Sequence, residues 1–116
     1  MGRLSTHVLD IARGKPAGGV IVELYRIDGA GTRTAITTTR TNQDGRTDEP
    51  LLQGADFKAG TYELVFHIGD YFRAIDPAVE DFLDVVPLRV RLSDWDGHYH
   101  VPLVCAPFGY STYRGS

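Results

Sequence analysis

The chain carries four histidines, and His98 and His100 stand two residues apart in His98-Tyr99-His100-Val101-Pro102-Leu103. On a strand, that spacing puts both imidazoles on one face. Imidazole can take a proton near neutral pH or ligate zinc. A zinc site would draw its third ligand from His7 or Asp96, but the sequence has no Cys pair and no His-Glu helix motif. A metal-free polar site is the stronger expectation. The chain ends on Tyr113-Arg114-Gly115-Ser116, which sets an aromatic ring, a guanidinium, a glycine and a hydroxyl beside the terminal carboxylate. Little of that helps to bury a core. With His98 and His100, it points to a polar site built from the end of the chain.

His7 lies in Leu4-Ser5-Thr6-His7-Val8-Leu9-Asp10, where alternation puts His7 and Leu9 on one face and Thr6 and Val8 on the other. Taken singly, His7 reads as a half-exposed strand residue and Arg46 as a solvated side chain after a turn. His67 falls beside Glu63 and Val65 on an outer face. Cys105 sits in the apolar run Val104-Cys105-Ala106, so it reads as a small buried hydrophobe. No Gly-x-Ser-x-Gly elbow is present. The glycine-rich stretch 14–19 lacks the Lys-Ser/Thr ending of a phosphate loop. What remains is a set of His, Arg, Tyr and Ser without an evident covalent nucleophile. Such a set suits general acid–base hydrolysis. A histidine with a pKa of about 6.5 accepts a proton from water, and an arginine orients a planar anionic ring through paired hydrogen bonds.

These residues need a scaffold. A length of 116 residues fits one domain over 1–116, with 42% hydrophobic and 23% charged residues as in ordinary globular chains. A net charge of −3 with no Lys/Arg run opposes nucleic acid as a partner. No apolar run reaches the length of a membrane span, and the first residues lack a secretory apolar segment. The single cysteine suits a reducing compartment, and without an export signal or a recognisable peroxisomal terminus the cytoplasm is the expected location.

Alternation predicts strands over 4–11, 20–27, 32–41, 61–68, 88–92, 98–104 and 109–113, separated by Gly, Pro and Asn-rich turns. The segment 76–83, with Asp76 as N-cap and Pro77 at the first helical position, is the best helix candidate. Seven or eight short strands and one helix imply an all-β sandwich. Exposed sandwich edges favour association between copies.

Three blocks give the chain a wider likeness. They are Leu4-Ser5-Thr6-His7-Val8-Leu9-Asp10 with Gly14-Lys15-Pro16-Ala17; Thr41-Asn42-Gln43-Asp44-Gly45-Arg46; and His98 to Leu103 continuing through Tyr110-Ser111-Thr112-Tyr113-Arg114-Gly115-Ser116. Gly69-Asp70-Tyr71-Phe72 also fits. On these blocks the chain resembles the transthyretin-related 5-hydroxyisourate hydrolases over nearly its whole length. The terminal Tyr-Arg-Gly-Ser matches the hydrolase branch, not the hormone carriers.

The resemblance implies an eight-stranded transthyretin-like sandwich with one short helix. It also implies a homotetramer, a dimer of dimers, with the site in a channel between the dimers. It places the functional residues at His7, Arg46, His100, Tyr113, Arg114, Gly115 and Ser116. His7, Arg46, His100 and Ser116 would be catalytic, and His7, Arg46, Tyr113 and Arg114 would bind substrate. The implied reaction is hydrolysis of 5-hydroxyisourate to 2-oxo-4-hydroxy-4-carboxy-5-ureidoimidazoline, with no cofactor or metal. The alternative is a transthyretin-like carrier that holds a small aromatic ligand without turnover.

Overall fold

Apolar side chains at every second position drive two sheets together face to face. The computed structural model describes residues 2–80 and 82–116. Met1 and Asp81, the latter within the helix expected over 76–83, lie outside the described residues.

The strands are β1 (Arg3–Asp10), β2 (Lys15–Pro16), β3 (Ile21–Ile27), β4 (Arg33–Arg40), β5 (Leu52–Gln53), β6 (Gly60–Phe66), β7 (Val86–Leu92), β8 (His98–Ala106) and β9 (Gly109–Thr112). An α-helix, α1 (Ile68–Ile75), joins β6 to β7, and a 3-10 turn spans Gly54–Asp56. One sheet runs β2-β1-β8-β9 with β5 also on β1, and the other runs β4-β3-β6-β7. The expected two-sheet sandwich with one short helix is the fold observed. The two-residue strands β2 and β5 were not anticipated, because two residues carry no period.

Leu4 and Val8 of β1, Val22 and Leu24 of β3, Leu64 and Phe66 of β6 and Leu103 of β8 are fully buried between the sheets. Cys105 joins them, as its apolar setting predicted. Burial pushes its thiol pKa up to about 12, with Asp10 adding to the shift. Asp10 is itself buried at the end of β1. It accepts hydrogen bonds from Tyr71 Oη at 2.9 Å and from the Arg13 backbone N–H at 3.0 Å, and so ties α1 to the sheet that carries the site.

Among the described residues of 76–83 no helix forms, and α1 occupies Ile68–Ile75 instead. Asp76 is its C-cap, extended at φ −141° and ψ 99°. The proline that follows disfavours helical backbone at Asp76. Asp76 then closes a turn, its Oδ1 accepting from Ala78 N–H at 3.0 Å. The strand expected over 61–68 correspondingly stops at Phe66, where the period changes. Ile68, Tyr71 and Phe72 fall at helical spacing and are buried. Among the described residues, no helix is long and apolar enough to cross a membrane.

Candidate active site

The core-facing positions of β1 are Leu4, Thr6, Val8 and Asp10, so Ser5 and His7 point away from the core and are half-buried. His7 lies in the gap between β5 and β2 on the edge of β1. There Arg46 forms an isolated antiparallel bridge with it. The preceding turn makes this contact possible. Asn42 Oδ1 accepts from the backbone N–H groups of Asp44 at 2.9 Å and Arg46 at 3.2 Å. Gly45 adopts φ +77°, and a β-carbon there would collide with the Val8 carbonyl. Val8 N–H in turn donates to the Gly45 carbonyl at 2.8 Å.

That turn aims the Asp44 carbonyl at His7, 2.8 Å from Nε2. A carbonyl only accepts, so His7 Nε2 carries a proton. In the neutral ring the unshared pair is therefore on Nδ1.

His100 comes from β8, which runs parallel to β1 with Ser5 opposite His100 and His7 opposite Pro102. The register brings Ser5 Oγ within 2.8 Å of His100 Nδ1. The chain's last residues return to the same strand. Gly115 forms an isolated bridge with His100 and donates its N–H to the His100 carbonyl at 2.7 Å. Burial lowers the pKa of His100 below the usual histidine value, and the neighbouring Arg46 and His7 push the same way. The lowered pKa favours the uncharged ring, which can accept a proton.

These elements enclose a groove of about 520 Å³ whose walls include His7, Arg46, His100, Tyr113, Gly115 and Ser116. The structure thus gathers most of the residues singled out from the sequence. Arg114 is the exception. Its guanidinium lies 4.3 Å above the Tyr99 ring, its Nη2 reaches the His98 carbonyl at 3.5 Å, and it lines a different groove beside β7. Tyr113 borders both grooves, whereas Arg114 lines only the one beside β7. His98 lines the site groove, yet among the described residues no cluster of His, Cys, Asp or Glu could hold a metal. His67 lies outside the site, bonded through Nε2 to Glu23 at 2.7 Å. A roomier hollow of about 750 Å³ beside α1 contains none of the expected site residues.

Sequence reasoning missed Ser5, Asn42 and Asp44. The same alternation that turned His7 outward also turned Ser5 outward, which was a usable signal. Asn before a glycine-closed turn was another.

A two-sheet sandwich with His7, Arg46 and His100 lining one outward groove defines a transthyretin-like protein with a polar site. The chain belongs to the HIUase/Transthyretin family, whose sequence profile matches residues 4–115. It is 58% identical to 5-hydroxyisourate hydrolase 2 of Rhizobium meliloti (strain 1021) over 117 residues, covering 99% of this chain and 97% of that relative. The structure of Klebsiella pneumoniae 5-hydroxyisourate hydrolase matches it with a TM-score of 0.83 at 35% identity, covering 100% of each chain. (S)-Allantoin synthase matches with a TM-score of 0.90 at 40% identity; this chain is covered to 99% and spans 44% of that longer one.

Proposed function

We propose that this chain hydrolyses 5-hydroxyisourate to 2-oxo-4-hydroxy-4-carboxy-5-ureidoimidazoline, a step of urate degradation. The carrying observation is the meeting of His100, kept neutral by burial and by Arg46 and His7, with the fixed cation of Arg46 in one groove. His100 Nε2 takes a proton from water as the water oxygen bonds to a ring amide carbon. Arg46 stabilises the oxyanion that forms. The ring C–N bond then breaks, and the departing nitrogen receives the proton from His100. His7, protonated on Nε2 by its bond to the Asp44 carbonyl, presents Nδ1 to the substrate ring. Tyr113 and Ser116 complete the binding wall, while Arg114 supports it from behind through Tyr99.

The working assembly is a homotetramer, a dimer of dimers with the groove facing a central channel, and its location is the cytoplasm. The half-buried, outward-facing groove and the unpaired sheet edges at β7 and β9 support that assembly. A carrier of an aromatic ligand would be served by an apolar lining, and the three ionisable side chains here oppose it. Freshly generated 5-hydroxyisourate, followed by absorbance, is the direct test. Disappearance well above the spontaneous rate is expected; loss at the spontaneous rate removes the proposal.

A further inference from the structure

The two site histidines are tied down by opposite nitrogens. His7 is held through Nε2 by the Asp44 carbonyl, and His100 through Nδ1 by the Ser5 hydroxyl. A carbonyl dictates the tautomer, whereas a hydroxyl can donate or accept. The state of His100 therefore depends on which way the Ser5 hydrogen bond runs.

We propose that Ser5 is the positioning residue of His100: its Oγ accepts from Nδ1–H and leaves the unshared pair of the neutral ring on Nε2. The inference rests on the hydrolase reading, in which His100 is the base. Geometry selects the direction. Nδ1 is already occupied by Ser5, so the nitrogen left for water is Nε2. When Nε2 gains a proton, an Nδ1–H donating to Ser5 keeps its bond unchanged. Were Ser5 the donor, Nε2 would already carry the hydrogen and have nothing to accept with.

The placement is rigid. Ser5 and His100 are direct partners in the parallel β1–β8 register, although 95 residues separate them in sequence. Among the described residues Ser5 Oγ has no second partner, so its own hydrogen is free to turn into the groove. The chemistry of the anchor matters too. A carboxylate at this position would favour imidazolium and weaken the case for a neutral base. A hydroxyl fixes the tautomer without adding charge.

The test uses the full chain labelled with ¹⁵N at histidine, at a pH where His100 is neutral. In the wild type, the ring signals of His100 should show hydrogen on Nδ1 and an unshared pair on Nε2. Ser5→Ala should shift them toward the Nε2–H form, which free imidazole side chains favour, and Ser5→Thr should keep the original pattern. In turnover, Ser5→Ala should lower kcat by about tenfold, the scale of one hydrogen bond, with KM little changed. Ser5→Thr should restore most of it. A wild-type His100 with hydrogen on Nε2 overturns the proposal, as does a Ser5→Ala enzyme with unaltered ring signals or unaltered kcat. Should the wild type fail to accelerate hydrolysis, the hydrolase reading falls alone, and the nitrogen signals still decide whether Ser5 sets the tautomer.

Discussion

Gly115 lays its bare α-carbon against the imidazole of His100. A β-carbon at that position would lie 2.6 Å from His100 Cδ2 and 3.3 Å from Pro102 Cγ. The same glycine donates its backbone N–H to the His100 carbonyl. One residue thereby holds both the strand position and the ring.

Gly115→Ala should therefore displace either the ring or the terminal segment. A displacement near 1 Å in a catalytic group can cost about 10²-fold in rate. The segment lies outside the core, so the melting temperature should stay close to that of the wild type. Kinetics and a calorimetric melt on the same sample separate the two effects. Normal turnover in the alanine variant would show that the contact is incidental.

Removing His100 tests the base directly. His100→Ala should lower kcat by about 10²- to 10⁴-fold while circular dichroism and melting remain near wild type, since the side chain faces the groove. Near-normal turnover would exclude the role.

The acid limb of activity should report His100. Its pKa is lowered, so the midpoint of the fall in kcat/KM should lie below about 6.5, the ordinary histidine value. Arg46→Gln removes one of the charges that depress it, and the His100 midpoint read by NMR titration should move upward. The stability sign is fixed as well. A histidine that binds its proton less readily when folded adds stability above about 6.5, lost as pH falls through the folded midpoint. An upward shift of stability on acidification would contradict the assignment.

Asn42→Ala should loosen the turn that carries Asp44 and Arg46. It deletes an acceptor used by two backbone N–H groups and the bond from Asn42 Nδ2 to Asp48 at 3.1 Å. A loss of about 1 kcal/mol in urea titration is expected for such a change. Activity should fall further than that stability loss explains, because both Arg46 and the His7 anchor depend on the turn.

Cys105 should resist a thiol-specific reagent in the folded protein and react on denaturation. Its thiol is fully buried and its pKa is raised to about 12. Stoichiometric labelling under native conditions would mean that the β8 strand opens readily.

Much of the scaffold was legible because alternation is local. Val20, Val22 and Leu24, or Tyr62, Leu64 and Phe66, announce a buried strand face within a few residues. The helix was misplaced because Asp76-Pro77 fits both a helix start and a helix stop. Burial of Tyr71 and Phe72 against the sheet decides between them. The types of residue at the site were legible too, but their contacts were not. Ser5 meets His100 only through a parallel register spanning most of the chain, and Asp44 contributes a backbone oxygen, which no side-chain pattern announces. Arg114 is drawn away by the Tyr99 ring and the His98 carbonyl, contacts that no local pattern announces.

The pairing of β1 with β8 also bears on how the molecule is made. Synthesis releases Ser5 long before His100, which lies 95 residues further on. Closing so long a loop is slow compared with forming a hairpin. A growing chain can assemble the β3–β4 and β3–β6 pairs long before β8 exists to complete β1. Turnover thus waits on the pairing of β1 with β8, and recovery of activity during refolding would time that closure.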